Sequence, residues 1–394
     1  MENFVYQAPT KIVFGKNTHR EVGKIIKEYG FHRVLLHYGG KSLKKSGAYD
    51  EITQSLEDAG IWFCELPGAE PNPKLSLVKT GAQLAKQEGV ELVLAAGGGS
   101  VIDSAKAIAI GAKNEGDLWR FWEKKDVPQT ALSVGTVLTL AASGSEMSSS
   151  AVLTNEETGE KRGLNTQLNR PLFSVLNPEL TFSAGRFQTG CGIVDIMMHT
   201  LERYFANSPA QDLTDRVAEG LLTAVVSAGK KVMSNPRDYE ARATLMWAGS
   251  LSHNDLTGLG RKTFMPCHQI EHALSGRFDE IAHGAGLSVL FPAWAKYVYK
   301  LCPARFCQLG ERVFGLDANN FNPEENALAA IYALENYFAE IGMPTRLDEL
   351  GEFSFTEDNF LQMARQATFY GARTLDGYKS LDEGDIVNIF HLAR

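Results

Sequence analysis

The chain has 394 residues, 44% of them hydrophobic and 22% charged, so it can bury at least one full core and form about two or three domains. Its 39 Lys and Arg against 47 Asp and Glu give a net charge of −8, without the basic surface that nucleic-acid binding requires. No apolar run reaches the ~20 residues of a membrane span, and the N-terminus has no signal-peptide pattern. The five scattered cysteines form no Cys-x-x-Cys pair, which argues against a disulfide framework and a thiolate zinc site. A cytoplasmic, enzyme-sized protein without nucleic-acid or membrane partners is expected.

The first half of the chain alternates between short apolar runs and segments of helical spacing. The apolar runs predict buried strands at residues 33–36, 61–64 and 91–96. Helical spacing is found at residues 50–59, 75–88 and 101–110. Because strands that alternate with helices are joined by right-handed crossovers, this half is predicted to form a doubly wound, mostly parallel α/β sheet.

In the second half the strand signals nearly vanish and long helical patterns dominate. These patterns cover residues 192–205, 212–232, 238–252 and 327–341. The sequence therefore predicts an α/β domain at 1–185 and a helical domain at 186–394. No long linker separates them, so we expect the two domains to pack closely and to leave a cleft suited to ligand binding.

Three consecutive glycines stand between a predicted strand and a predicted helix. Gly97, Gly98 and Gly99 would let backbone amides approach an anion, and a helix N-terminus adds positive potential there. Ser100 is expected to cap this helix, with Asp103 completing a capping-box-like pair. The pattern is neither GxGxxG nor a Walker loop. It indicates phosphate binding without identifying the ligand, and a glycine-rich turn that binds nothing is the alternative.

Two further segments are candidates for the same phosphate site. The first follows an apolar run, where a doubly wound fold contacts the adenosine ribose, and consists of Gly39, Gly40, Lys41 and Ser42. An NAD-selective site would place an acidic residue there, so glycine and lysine suit the 2′-phosphate of NADP better, although solvated surface lysines are an equal alternative. The second segment, 136–150, is read as a loop of small and hydroxyl residues. Its candidates are Thr136, Thr139 and Ser145, and an ordinary polar connection is the alternative.

A carboxylate and three histidines have the spacing of metal ligands. Asp195 and His199 are four residues apart in a helical pattern, so they share one face, and His268 and His272 repeat that spacing. His283 follows shortly afterwards. Each residue alone is more typical of a core or a surface position, but the set favours a site for divalent Fe, Zn, Co or Mn. Spacing does not say which three histidines bind the metal.

A divalent metal combined with a phosphate loop suggests redox chemistry on an alcohol or an aldehyde. The metal would act as a Lewis acid on the substrate oxygen, and a nicotinamide would take or give a hydride. A metal-dependent hydrolase is an alternative, because the same ligands can activate water. A non-catalytic protein with structural histidines is a third interpretation, but it would leave buried polar groups on the Asp195 helix in need of partners.

The chain resembles the iron-containing (group III) alcohol dehydrogenase family, in its bacterial butanol dehydrogenase branch. The resemblance runs from end to end. Besides the helix of Asp195 and His199, its motifs are Pro9–Gly15 (PTKIVFG), Gly97–Lys106 (GGGSVIDSAK), Ser143–Met147 (SGSEM), Ile281–Gly286 (IAHGAG) and Leu381–Ala393. Two features depart from the pattern. Lys41 stands where a related branch often has glycine. The stretch between His272 and His283 is one residue longer than usual, and the extra residue is assigned to a loop at 277–280.

The resemblance implies a dehydroquinate synthase-like architecture, with a dinucleotide-binding domain followed by a helical metal-binding domain. It implies that the metal is Fe²⁺, with Zn²⁺ as the alternative, and that its ligands are Asp195, His199, His268 and His283. It places His272 near nicotinamide and substrate as a proton relay. Apart from the resemblance, Gly39 and Lys41 in place of an acidic residue favour NADP(H) over NAD(H). Gly98, Gly99, Ser100 and Asp103 would bind the pyrophosphate and neighbouring cofactor groups, with Thr136 and Thr139 along the cofactor cleft.

The expected activity is oxidation of short- to medium-chain primary alcohols or reduction of the aldehydes, as for butanol and butanal, by a homodimer. The same fold leaves two alternatives open, a glycerol dehydrogenase-like polyol oxidoreductase and a dehydroquinate synthase-like lyase.

Overall fold

The computed structural model describes residues 1–208, 211–317 and 322–394, and these divide into two compact units. One unit comprises residues 7–184, and the other comprises residues 1–6 together with residues 185–394. The domain predicted at 1–185 included the first six residues, which group instead with the second unit.

A six-stranded parallel sheet forms the centre of the 7–184 unit. Its strands are β1 (Lys11–Phe14), β2 (Arg33–Tyr38), β3 (Trp62–Leu66), β4 (Leu92–Gly97), β5 (Ser133–Leu138) and β8 (Phe173–Leu176), in the order β1-β8-β5-β4-β2-β3. Every neighbouring pair is parallel. β2 and β4 are buried almost throughout and most of their residues are apolar, as expected of strands that are covered on both faces. The predicted parallel α/β sheet is confirmed.

Helices connect these strands. They are α1 (Val22–Glu28), α2 (Lys41–Lys45), α3 (Ala48–Asp58), α4 (Leu75–Gln87), α5 (Gly99–Lys113) and α6 (Trp119–Trp122). A separate antiparallel hairpin, β6 (Ser150–Asn155) and β7 (Glu160–Asn165), follows the segment that was read as a loop, and its strands were not predicted from the sequence.

The second unit is helical, as predicted. Its helices are α7 (Arg186–Tyr204), α8 (Asp212–Ser234), α9 (Tyr239–Ser252), α10 (Pro266–Arg277), α11 (His283–Val298), α12 (Pro303–Phe314), α13 (Pro323–Glu340), α14 (Glu357–Ala367) and α15 (Glu383–Leu392). Over the three described ranges, no helix is both long enough and apolar enough to cross a membrane. The centre of this unit is α7, which is buried around nearly its whole circumference from Thr189 to Tyr204.

The strand order places the carboxyl ends of β2, β4 and β5 side by side. β4 lies between β2 and β5, with Tyr38 opposite Ala96 and Gly97 opposite Leu138. The chain runs from β2 outward to β3 and then returns to β4 on the other side of β2. Such a reversal opens a crevice beyond the strand ends, where open α/β sheets bind ligands.

Candidate metal centre and cofactor loops

Helix α7 presents three buried polar side chains along one face. Asp195, His199 and Glu202 are spaced by four and three residues, so they lie one turn apart on neighbouring turns. All three are at least 95% buried. Burial of charged and polar groups is costly unless a partner or an ion compensates for it, so this face is not an ordinary packing surface.

The predicted metal ligands converge on one oxygen atom. Asp195 Oδ1 lies 3.3 Å from His199 Nδ1, 3.6 Å from His268 Nε2 and 3.8 Å from His283 Nε2. The four side chains come from three helices: α7 supplies the first two, α10 supplies His268 and α11 begins with His283. The extra residue in the loop that joins α10 to α11 therefore does not displace His283 from the cluster.

Three of these atoms have the features of metal donors. Among the described residues, Asp195 Oδ1, His199 Nδ1 and His268 Nε2 are buried without a hydrogen-bond partner. The donor atoms of these three residues lie within 4.8 Å of one another. Buried polar atoms normally find partners, and one carboxylate oxygen with imidazole nitrogens suits a divalent Fe, Zn, Co or Mn ion. The residues present therefore fit the divalent metal that the sequence implied.

Two further carboxylates hold two of the predicted ligand histidines through the ring nitrogen that faces away from Asp195. Glu202 accepts a hydrogen bond from His268 Nδ1, and Glu271 accepts one from His283 Nδ1. Both carboxylate side chains are fully buried. Each bond leaves the Nε2 atom of the same ring directed at Asp195, which is the arrangement that orients histidine ligands in metal sites.

The charges of the cluster favour a cation at its centre. Burial lowers the pKa of the His268 imidazole, but the carboxylates of Glu202 and Asp195 outweigh burial and raise that pKa to about 9. Burial lowers the pKa of His199 well below its usual value, and the neighbouring His253 and His268 lower it further, so that ring is neutral and can ligate.

The two nearest cysteines do not supply a thiolate ligand. Burial raises the pKa of Cys191 to about 12, and burial with the nearby Glu202 raises the pKa of Cys267 well above its usual value. Both thiols therefore stay protonated near neutral pH, as expected for inert structural cysteines.

Five histidine rings form a contiguous series through the centre. The ring centroids of His253 and His199 are 3.9 Å apart, and those of His199 and His268 are 4.5 Å apart. The series continues from His268 to His283 at 5.4 Å and from His283 to His272 at 5.6 Å. His272 and His253, at the two ends, are partly exposed. His272 thus lies beside the predicted ligands, and the proton-relay role that the resemblance implied stays a prediction.

The predicted cofactor loops meet at the carboxyl ends of β2 and β4. Gly39 and Gly40 follow β2, and Lys41 and Ser42 open α2. A Cβ atom on Gly39 would lie 3.9 Å from the Val101 side chain of α5. The first glycine segment therefore lies against the first turn of the helix that follows Gly97–Gly98.

The third cofactor segment lies over the N-terminus of α5. A Cβ atom on Gly99 would stand 2.2 Å from Ser143 Oγ and 3.0 Å from Ser143 Cβ, so the Ser143 side chain lies directly against the backbone of Gly99. The Thr139 amide donates a 3.0 Å hydrogen bond to the Gly97 carbonyl. The three segments that the sequence singled out separately are thus brought together in one unit.

The structure corrects the expected capping of α5. The helix begins at Gly99 with Gly98 as its N-cap, and within the described chain no side chain caps it, so Ser100 is already helical. The Asp103 carboxylate accepts hydrogen bonds from Ser145 Oγ, at 2.5 Å, and from the Val152 amide, at 2.9 Å. Asp103 thus joins α5 to the 145–152 segment, and no capping box forms.

A second correction concerns Thr136. It lies within strand β5 and not in a loop, and its side chain is fully buried. Its Oγ1 atom has no hydrogen-bond partner among the described residues. Its expected contact with the cofactor stays a prediction.

Sequence reasoning missed several residues of the two sites, among them Lys106. Its amine is fully buried and donates to Ser145 Oγ at 2.8 Å and to the Ser150 carbonyl at 2.7 Å. Burial lowers the pKa of Lys106 to about 8, although Asp103 and Glu146 act in the opposite direction.

Helical spacing could have identified two other missed residues. Glu202 is three residues after His199, and Glu271 is three residues after His268, so each shares a face with a ligand. No sequence signal indicates His253, which follows the end of α9.

Comparison with known proteins places both halves of the chain in one family. Residues 9–178 match the model for "Iron-containing alcohol dehydrogenase", and residues 189–394 match "Fe-containing alcohol dehydrogenase family, C-terminal".

Similar proteins cover nearly the whole chain. NADH-dependent butanol dehydrogenase A of Clostridium acetobutylicum is 41% identical over 391 residues, which are 99% of each chain. An NADPH-dependent aldehyde reductase of Escherichia coli is 33% identical over 89% of this chain and 90% of its own length. The crystal structure of NADH-dependent butanol dehydrogenase A from Thermotoga maritima superposes with a TM-score of 0.95 at 39% identity, and the match covers 100% of this chain and 99% of that one.

Proposed function

The chain belongs to the iron-containing alcohol dehydrogenase family and is an oxidoreductase that acts on alcohols, and from this premise we propose that it interconverts short- to medium-chain primary alcohols and aldehydes. Butanol and butanal are the first substrates to test, because the relatives with 41% identity are named butanol dehydrogenases. The observation that carries the proposal is the convergence of three imidazole nitrogens on Asp195 Oδ1.

In this proposal Asp195, His199, His268 and His283 hold a divalent metal. When bound, the metal supplies Lewis-acid polarisation of the substrate oxygen, while a nicotinamide supplies or takes up the hydride. The side chains orient this chemistry: Glu202 and Glu271 fix two of the imidazoles. His272, partly exposed beside His283, is proposed to pass the alcohol proton to solvent.

The nicotinamide cofactor is proposed to bind along the glycine segments of the 7–184 unit. Backbone amides at the start of α5 suit a pyrophosphate, because a helix N-terminus attracts anions. The residues proposed to contact the cofactor are Gly39, Gly40, Lys41, Ser42, Gly97, Gly98, Gly99, Ser100, Asp103, Thr136, Thr139 and Ser145.

The preference between NADP(H) and NAD(H) rests on the residues after β2. Lys41 is exposed at the start of α2, and Gly39 occupies the place where an acidic residue would select NAD. This supports NADP(H), whereas the relatives with 41% identity are named NADH-dependent and a relative with 33% identity is named NADPH-dependent. Lys41→Glu should lower kcat/KM for NADPH more than for NADH. Lys45→Glu, at the other end of the same helix, is the matched control, and equal effects on both cofactors in Lys41→Glu would refute the assignment.

The deciding experiment is an anaerobic assay of the full chain after chelation, with Fe²⁺ or Zn²⁺ restored and with butanal plus NADPH or NADH. We expect nicotinamide oxidation that chelation abolishes and that one metal restores. Full activity after complete removal of the metal would refute the metal role. Binding of NADPH without turnover of butanal would refute the substrate.

The polyol-oxidoreductase, lyase and hydrolase alternatives are not favoured, because the similar proteins are alcohol dehydrogenases and aldehyde reductases. Homodimeric assembly and a cytoplasmic location stay predictions, and size-exclusion chromatography with light scattering tests the first of them.

A further inference from the structure

We propose that Glu202 and Glu271 are positioning residues that set the affinity of the metal centre. This inference rests on the proposed function, because it assumes a metal held by Asp195, His199, His268 and His283. Neither glutamate is directed at Asp195 Oδ1. Each acts through the Nδ1 atom of a ligand histidine.

The single carboxylate of Glu202 both caps a helix and holds a histidine ring. It accepts hydrogen bonds from the Cys267 amide at 2.6 Å and the His268 amide at 3.3 Å, as well as from His268 Nδ1. These amides belong to the first turn of α10, which begins at Pro266. The N-cap residue of this helix is Met265, and in the described structure its side chain makes no capping hydrogen bond. A carboxylate from α7 therefore caps α10 and at the same time fixes a ligand on that helix.

The double task makes the tautomer of His268 depend on a carboxylate at residue 202. The Oε1 atom serves the Cys267 amide, and the Oε2 atom serves His268. Glutamine has one acceptor oxygen and one NH₂ group, so it cannot accept at both places. If the glutamine oxygen still accepts from the Cys267 amide, the glutamine NH₂ group faces His268 Nδ1. The Nδ1 atom must then accept a hydrogen bond, so the ring proton moves to Nε2. A protonated Nε2 atom has no lone pair for a metal.

Glu271 holds His283 in a simpler way. One oxygen accepts from His283 Nδ1, and the carboxylate packs against Gly286 in the first turns of α11. A Cβ atom at residue 286 would lie 2.9 Å from Glu271 Cγ, so the glycine leaves room for this side chain. Glutamine can turn its single oxygen toward Nδ1, so Glu271→Gln removes charge but keeps the tautomer.

The test is competition for Zn²⁺ between the metal-free full chain and a chromophoric chelator. Loss of such partners weakens metal binding about 10- to 100-fold. We expect Glu202→Gln near the upper end of that range and Glu271→Gln near the lower end. Gly286→Ala, which keeps both carboxylates but displaces Glu271, should also weaken binding.

Glu219→Gln is the matched control, because Glu219 is a buried carboxylate of the same unit that bonds Tyr204 and Gln308, not a ligand histidine. Circular dichroism and thermal unfolding of the metal-free variants separate lost affinity from lost fold. If Glu202→Gln fails to fold, Glu271→Gln and Gly286→Ala still decide the matter.

The failure of the inference and the failure of the proposed function give different results. Wild-type protein that binds Zn²⁺ no more tightly than Asp195→Ala would overturn the metal centre itself. Tight binding by the wild type, with equal affinity in folded Glu202→Gln and Glu271→Gln, would overturn only the positioning role.

Discussion

Gly284 packs so closely against Cys191 that a Cβ atom at residue 284 would stand 2.2 Å from the Cys191 carbonyl oxygen. Cys191 is one turn before Asp195 on α7, and Gly284 directly follows the proposed ligand His283 on α11. The close approach of these two helix backbones therefore brings His283 to Asp195.

Gly284→Ala should separate α7 from α11 and weaken both the fold and the metal centre. Backbone atoms cannot retreat as a flexible side chain can, so we expect a loss of about 1–3 kcal/mol in the free energy of unfolding and weaker binding of Zn²⁺. Urea unfolding and chelator competition measure the two effects. Gly220→Ala is the control, because the new methyl group would contact nothing within 4 Å, and that exposed helical site should be neutral or slightly stabilised. Wild-type stability in Gly284→Ala would contradict this account.

Lys106→Met should weaken binding at the proposed cofactor site by loosening the 145–150 segment. The buried amine holds the 145–150 segment through Ser145 and Ser150, and methionine would remove both of these buried hydrogen bonds. We expect a loss of about 3 kcal/mol in stability, and a rise in KM for the nicotinamide that exceeds the fall in kcat. Lys113→Met, at the exposed end of the same helix, is the control. An unchanged KM in a folded Lys106→Met enzyme would refute the link to the cofactor.

His37 should make the 7–184 unit sensitive to acid. Its Nδ1 atom donates to the Leu66 carbonyl, and its Nε2 atom accepts from Ser104 Oγ, so the buried ring is neutral. Burial lowers its pKa from 6.5 to about 4, although the bond to Leu66 opposes the shift. Because the unfolded chain binds a proton below pH 6.5 that the folded chain refuses until about pH 4, stability falls as the pH falls through this window.

We expect His37 to lower the free energy of unfolding by about 2 kcal/mol between pH 7 and pH 5. The substitution His37→Gln should remove that part of the pH dependence. Glutamine can still donate to Leu66 and accept from Ser104. Urea unfolding at both pH values measures the difference. His32→Gln, at an exposed position, serves as the control, and an equally steep pH profile in His37→Gln would disprove the prediction.

Asp215 should contribute strongly to the stability of the helical unit. It accepts from Arg261 at 2.5 Å and from Arg305 at 2.6 Å, and all three side chains are at least 92% buried. Burial raises the pKa of Asp215, but the two arginines outweigh burial and lower that pKa to about 2. The stability that the Asp215 carboxylate contributes is therefore present above pH 3.8 and is lost as the pH falls toward 2.

Asp215→Asn leaves two buried guanidinium groups without their carboxylate, and we expect a loss of about 3–5 kcal/mol in the free energy of unfolding. Glu335→Gln, which breaks the more exposed pair with Lys296, should cost at most about 1 kcal/mol. Comparable losses from the two substitutions would show that burial of the Asp215 cluster does not matter.

Short-range patterns in the sequence predicted much of the fold and grouped the candidate metal ligands. The apolar runs around 33–36 and 91–96 became the buried strands β2 and β4, and the spacing of Asp195 and His199 placed both on one face of α7. Capping of α5 was predicted wrongly, because Asp103 found Ser145, 42 residues away, instead of a backbone amide of its own helix. The hairpin of β6 and β7 was missed, since Ser150–Asn155 carries only a short apolar run and the sequence of its partner Glu160–Asn165 is mostly polar.

The sequence by itself determined the alternation of strands and helices, the glycine segments and the pairing of Asp195 with His199 and of His268 with His272 on shared helix faces, because periodicity and spacing within one element follow from backbone geometry. Only the tertiary structure decided which atom each ligand presents. Glu202 reaches His268 across 66 residues, and it does so because α10 and α7 pack together. A contact of that range depends on how helices approach one another, through glycines such as Gly284, and local pattern does not encode that approach.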